Sequence, residues 1–361
     1  MLPLTLQALL FQTGTSGRAE LGTAGDDDFH FKVSADGSSW NEAIVIDRTT
    51  GQTSLPATSY LDLPAGSAPA TPASGKVRLY AKTDKNFYQK NDTGSETGLA
   101  GGSAGRELLT GARTYYVRTD GSDSNTGLAD NSGGAFVTLQ KAIDTAAGLD
   151  LGIYDVTIQV RSGTFTAGGV LKSLVGAGQV IIVGDETTPA NVLLNPTNAA
   201  CFSADGVRGQ YALRGMKLQT TTGGDGISAV GGSQITFQNL NFGALAGAGS
   251  AHIRTSTNSK ITATGNYAVS GGAGYHWNAQ LGGLLEISGK TVTFSNSPAI
   301  TIFAYCLQAS VMYIFNNTYT NGNTVTGQQY VATTAGVIET LTGATLPGST
   351  GGSATSPGIK T

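Results

Sequence analysis

Charge is scarce in this chain: 24 acidic and 21 basic residues among 361 leave a net charge of -3 and a charged share of 12%, about half that of an ordinary soluble domain. Two classes are thereby disfavoured. A general nucleic-acid binder carries a basic stripe, and disorder of the common kind needs high net charge. Cysteine is nearly absent. Cys201 and Cys306 sit far apart in apolar surroundings, so buried free thiols are expected and no disulfide framework holds the fold. No run approaches the roughly 18 apolar residues that span a bilayer. Leu2 to Phe11 is apolar, but it has no basic start, contains Gln7 and leads to no small-residue cleavage site. Neither a signal peptide nor membrane insertion is expected.

Glycine, at 52 residues, is present at about twice its usual share, and it punctuates a repeat. Tyr211-Ala-Leu213-Arg-Gly-Met216-Lys-Leu218 lies 24 residues before Ile235-Thr-Phe237-Gln-Asn-Leu240-Asn-Phe242, apolar position over apolar position. Ser233-Gln-Ile235 returns as Ser259-Lys-Ile261, Gly283-Leu-Leu285 and Ser310-Val-Met312, placing the anchors 26, 24 and 27 residues apart. A period of this length marks a solenoid, whose repeats bury their apolar faces only by stacking. Within a repeat, alternation at Tyr211 and Leu213 reads as strand, and the odd step across Gly215 or Asn239 reads as a corner. A third strand precedes each anchor by eight or nine residues, at Ile227, Ile253, Trp277 and Phe303. Three strands and three turns per 24 residues describe a coil of parallel β-helix, and the earlier pairs Val156/Ile158 and Val180/Ile182 share the register. Gly, Thr, Asn and Ser recur too often for helical repeats. Some seven coils, rising by roughly 4.8 Å each, make a rod on the order of 35 Å long.

The predicted fold class is therefore all-β: a single-stranded parallel β-helix over 113–335, preceded by small β modules and a short capping helix. Residues 1–58 form the first module, where Phe29, Phe31 and Val33 alternate up to an Asp36-Gly37 turn and Ala43 to Ile46 return. So small a unit buries little core alone, and pairing with other copies is a natural remedy. Residues 59–112 are linker with a hairpin over 76–89 turning near Asp84, and Gly98 to Gly105 is a joint. Thr138 caps a helix over 138–147 that puts Leu139, Ala142, Ile143 and Ala146 on one face and stops at Gly148. It is placed to cover the first coil. Residues 336–361 form a Gly/Ser/Thr-rich tail.

The run Tyr115-Tyr-Val-Arg-Thr-Asp-Gly-Ser-Asp-Ser-Asn-Thr-Gly-Leu128, followed by Ala135-Phe136-Val-Thr138-Leu139-Gln140-Lys-Ala-Ile143, resembles the opening of the pectate-lyase-like β-helix in bacteriophage tail spikes and tail fibres. Gly22 to Gly37, Pro72 to Asp84 and Leu346-Pro-Gly-Ser-Thr350 are similar to other segments of such fibres. The resemblance implies a right-handed β-helix and a homotrimeric virion appendage assembled in a bacterial cytoplasm. Its N-terminus would attach to other virion proteins, and its β-helix would contact host-surface polysaccharide or another receptor. Two alternatives stay open: a polysaccharide depolymerase, hydrolase or lyase, and a structural spacer or head-fibre component. No cofactor is expected.

Chemistry has few residues to draw on. Between Val156 and Gly336 the acidic residues are Asp185, Glu186, Asp205, Asp225 and Glu286, whereas glycoside cleavage needs two carboxylates flanking the bond. Asp185, Asp205 and Asp225 recur every 20 residues beside glycine. They read either as turn residues capping their own backbone or as a carboxylate ladder; with Glu286 they complete the catalytic candidates. His252 and His276, 24 residues apart within matching neighbours, are expected to project outward from adjacent rungs if Ile253 and Trp277 point inward. There they would meet a ligand, hold a metal or titrate together. Asn278, Gln280 and Tyr313 join them as ligand-binding candidates, since amides pair with sugar hydroxyls and rings pack on sugar faces. Asp120, Asp123 and Asn125 place oxygens at Ca²⁺-like spacing in a loop without the later bidentate Glu. That loop reads either as a cation site or as one locked by its own side chains.

Overall fold

The computed structural model describes residues 8–23, 26–56, 61–83, 86–99, 106–341 and 344–361. Most of the apolar Leu2 to Phe11 run, the hairpin turn at Asp84 and most of the 98–105 joint lie outside them. The chain divides into two compact units, residues 1–104 and 105–361.

The larger unit is a parallel β-solenoid of about eight turns. Each full coil gives one strand to each of three sheets of ten, seven and eight strands. Val156–Val160, Gly163–Phe165 and Gly169–Val170 make one coil, and Val180–Val183 then pairs in parallel with Val156–Val160. The expected columns are hydrogen-bonded neighbours: Ile235, Ile261, Leu285 and Met312 stack in one line, Leu213 meets Phe237, and Leu218 meets Phe242. All eight side chains are buried. Each contributes roughly 1.5–3 kcal/mol by leaving water. The corner between the ten- and seven-stranded sheets is left-handed at Gly215 and at Asn239. At Gly215 a side chain is also excluded by space, since a Cβ would lie 2.8 Å from the backbone at Asp185 and Glu186.

The helix Leu139–Ala147 buries Leu139, Ala142, Ile143, Ala146 and Ala147, and the Thr138 side chain accepts the Lys141 N–H. Gly169 of the first coil lies beneath Ile143 and Leu139. At the other end the chain keeps winding past residue 335. Val337–Glu339 and Ile359–Lys360 extend the ten-stranded sheet, and Ser353–Ala354 extends the eight-stranded one. These strands lie within the segment expected to be a tail and account for the turn beyond the expected seven.

In the smaller unit, five antiparallel strands, Ala8–Thr13, Ser16–Gly22, Phe29–Val33, Asn41–Ile46 and Thr53–Ser54, pair in sequence order. Asp36 fixes the predicted turn by accepting the Ser38 and Ser39 N–H groups. The hairpin over 76–89 gains a third strand: Arg78–Ala81, Phe87–Lys90 and Glu96–Gly98 form one sheet. No helix among the described residues is long and apolar enough to cross a membrane.

Candidate functional site

The outer wall of the ten-stranded sheet carries a column in which Thr236, Thr262, Glu286, Tyr313 and Glu339 follow one another rung by rung. Alternation sends these side chains out because Ile235, Ile261, Leu285, Met312 and Ile338 beside them point in. A groove of about 440 Å³ opens along it, lined by Thr262, Glu286, Ser288, Lys290, Tyr313, Phe315 and Glu339 among others. A second hollow, of about 190 Å³, shares Thr262 and Glu286 and continues toward Gln210 and Gln234. Within the groove Glu286 is committed: Lys260 Nζ lies 2.8 Å from its carboxylate, and Thr262 Oγ1 donates to it at 3.2 Å. The Glu339 carboxylate and the Lys290 ammonium have no partner among the described residues. Tyr313 is 37% exposed. Ring faces, two carboxylates and an ammonium along an open trough can pack on and hydrogen-bond a polyhydroxylated chain.

Glu286 and Tyr313 were thus candidates from sequence and adjoin one another. Glu339 escaped because the β-helix was taken to end at 335, although it follows Tyr313 by 26 residues, within the repeat period. Phe315 and Lys290 carried no signal beyond polarity and alternation.

The histidines are where sequence reasoning fails. Both are wholly buried, not outward on the wall. His252 and Ile253 are consecutive and both are buried, as are His276 and Trp277; strict alternation does not allow this, and the strand pairing passes from Ala251–Tyr275 to Ile253–Trp277 without a pair at the histidines. The register adds a second correction. Trp277 pairs with Ala304, so Phe303 continues the column of His276 and not that of Trp277. An apolar ring in that column was the signal that it points inward. The imidazoles meet at Nδ1 to Nδ1, 3.0 Å. His252 Nε2 reaches the Gly243 carbonyl at 3.0 Å, His276 Nε2 reaches Tyr267 Oη at 2.9 Å, and Trp277 Nε1 donates to that same oxygen at 3.1 Å. With both rings neutral, as their burial favours, only one arrangement of protons satisfies every contact, because an indole nitrogen only donates and a carbonyl only accepts. Trp277 donates to Tyr267, Tyr267 to His276, His276 from Nδ1 to His252, and His252 from Nε2 to Gly243. Burial lowers His252 to about 4 and drives His276 well below the ordinary value, the neighbouring His252 adding to the effect. Sealed from solvent, the pair meets no external ligand.

The remaining candidates are scattered. Asn278 is buried on the eight-stranded sheet between Arg254 and Tyr305, a correction to its expected exposure, and Gln280 lies level with Ser256 on that sheet. Neither stands with Tyr313, which is on the ten-stranded sheet. Asp185 accepts the Thr187 and Thr188 N–H groups and the Asn191 amide. Asp225 forms a half-buried two-point ion pair with Arg254 and accepts the Ala251 N–H. Asp205 lies across from Val230, three positions beyond Ile227, whereas Asp225 lies two positions before Ile227. The three aspartates therefore form no ladder. In the 120–127 loop, Asp123 accepts the Val137 and Thr138 N–H groups and the Thr138 hydroxyl, Asp120 pairs with Arg118, and the Asn125 amide donates to the Ser132 and Ala135 carbonyls. The Asp123 oxygens brace the helix N-terminus, while Asp120 and Asn125 tie the loop to itself and to Arg118. Among the described residues no group of three or more His, Cys, Asp and Glu is disposed to hold a metal ion. Both thiols are buried, and burial raises each to about 12.

No family model matches this chain, and no curated protein or solved structure does.

Proposed function

We propose that this chain is the subunit of a homotrimeric virion appendage of the tail-fibre or tail-spike kind. Its smaller unit attaches to other virion proteins, and its solenoid contacts host-surface polysaccharide. The observation that carries the contact is the groove on the ten-stranded sheet, where the Tyr313 and Phe315 rings lie beside the Glu339 carboxylate and the Lys290 ammonium. The resemblance of the segments around Tyr115 and Phe136 to fibre proteins supports the setting. Binding of purified host-surface polysaccharide to the full chain tests it. Tyr313→Ala is expected to weaken binding by about tenfold or more, the loss of one sugar-packing ring. Undiminished binding by this variant, or none by the wild type, sinks the reading and leaves the spacer role.

Cleavage is the second reading, favoured by the placement of Glu286 and Glu339 on either side of Tyr313. Two rung spacings separate their backbones by roughly 9–10 Å, near the roughly 6.5–9.5 Å between carboxyl groups in inverting glycosidases. Release of reducing ends by the wild type, lost in both Glu286→Gln and Glu339→Gln, identifies a depolymerase. Binding without release identifies an adhesin.

A further inference from the structure

The smaller unit has regular strands and no core. Among the described residues, buried hydrophobic side chains begin only at Leu109. Among the described residues, 21 large hydrophobic residues stand exposed and 12 of them precede residue 105, so the deficit belongs to this unit and not to the solenoid. The register shows how they are arranged. On the five-stranded sheet Leu9 sits beside Leu21, Leu21 beside Phe31, Phe31 beside Ile44, Phe11 beside Ala19, Ala19 beside Val33, and Phe29 beside Ile46. These side chains share one face, and none of the residues paired across it is charged. The opposite face holds the charges already paired: His30 Nε2 contacts Asp26 at 2.7 Å, and Lys32 contacts Glu42 at 3.4 Å. Leu10 and Trp40 close over Gly17 there. The three-stranded sheet repeats the division. Leu79 and Phe87 are exposed, while Lys82 and Lys90 flank Glu96.

A single sheet is stable only when its apolar face meets a second layer. The face on the five-stranded sheet offers roughly 500 Å² of apolar surface, at the upper end for a monomer and approaching the share a partner gives to a stable interface. The occupant must be apolar and need no countercharge. A copy of the same face meets both conditions, since uncharged surfaces meet without like-charge repulsion.

We propose that the face formed by Leu9, Phe11, Leu21, Phe29, Phe31 and Val33 is where copies of this chain seal against one another, and that the smaller unit acquires its core only in that assembly. The inference rests on the reading of the chain as a homo-oligomer and is independent of what the groove binds. Sedimentation of the full chain tests it, with Phe31→Lys on the face and Glu20→Gln on the opposite side of the same sheet. The wild type and Glu20→Gln are expected to sediment as the same oligomer. Phe31→Lys is expected to weaken association by about 100-fold, the scale of a buried interface anchor, and to admit protease within residues 8–56 while the solenoid stays resistant. Phe31→Leu is expected to restore both properties. A wild type that is monomeric at all concentrations overturns the homo-oligomer and the face together. An undiminished Phe31→Lys oligomer overturns the face alone. A monomeric Phe31→Lys whose smaller unit still resists protease overturns the claim that assembly supplies its core.

Discussion

A histidine pair at the centre of a β-solenoid is an unusual use of buried space, and its consequence follows from the proton order of the chain from Trp277 to Gly243. Each ring is neutral when folded, whereas an unfolded imidazole takes up a proton below about pH 6.5. Folded-state pKa values below the unfolded ones mean that stability is complete above pH 6.5 and falls as the pH drops toward 4. His252 alone, lowered to about 4, accounts for about 3 kcal/mol across that window; His276 adds to the loss in the same direction. Asp36, Asp47 and Asp185 are held below the usual carboxylate range by backbone N–H groups, so their contributions are lost at lower pH. The prediction is a urea midpoint for the solenoid that declines steadily from pH 7 to pH 4.5. In the double variant His252→Leu/His276→Phe, which extends the apolar column of Phe303, that decline should largely vanish. An equal decline in wild type and variant would place the acid sensitivity elsewhere.

Between the eight- and ten-stranded sheets the chain turns through pairs of left-handed residues: Gly231-Gly232, Thr257-Asn258, Leu281-Gly282, Gln308-Ala309 and Thr334-Ala335. Each is followed by a buried small residue, Ser233, Ser259, Gly283, Ser310 or Gly336. The serines are structural. Ser259 Oγ accepts the Gly232 and Ser233 N–H groups, both at 3.0 Å; these donors also reach the Thr257 and Val230 carbonyls, so Ser259→Ala should cost about 1 kcal/mol, the net worth of the lost hydrogen bonds, in a denaturant titration. Leu281 is half-exposed and left-handed at φ 54°, a conformation unfavourable to a branched side chain. Leu281→Asn creates the Asn-Gly pair such turns favour, and it should raise stability by about 1 kcal/mol in a denaturant titration. A drop would mean that Leu281 is held by contacts worth more than the strain. These turns also show what was legible in sequence. The Ser/Gly step and the anchor two residues later define the register, so the columns through Ile235 and Met312 could be read directly. This corner keeps a constant length, eight residues from Trp277 to Leu285 and eight from Ala304 to Met312; reading Phe303, nine before Met312, as the partner of Trp277 instead of His276 hid the inward direction of His276. Glu339 was hidden by composition, because glycine and threonine after residue 335 suggest a tail until backbone pairing shows another coil.

The two units solve the burial problem in opposite ways, and this should be visible as two unfolding events. In the solenoid each coil is covered by its neighbours, so stability grows with stacking and is independent of other molecules. In the smaller unit the apolar face is open, and any stability gained by covering it with another copy must rise with protein concentration. The chain supplies one tryptophan to each: Trp40 to the smaller unit and Trp277, fully buried, to the solenoid. Comparison of the wild type with Trp40→Phe separates the two fluorescence signals. Across about a 100-fold range of protein concentration, the transition reported by Trp40 should move to higher denaturant as the chain is concentrated, by mass action, while the Trp277 transition stays fixed. Phe31→Lys should abolish the Trp40 transition and leave that of Trp277 unchanged. If both signals instead moved together, the solenoid would be held by the same intermolecular contact as the sheets before it, and the division into a self-sufficient rod and a dependent stalk would be wrong.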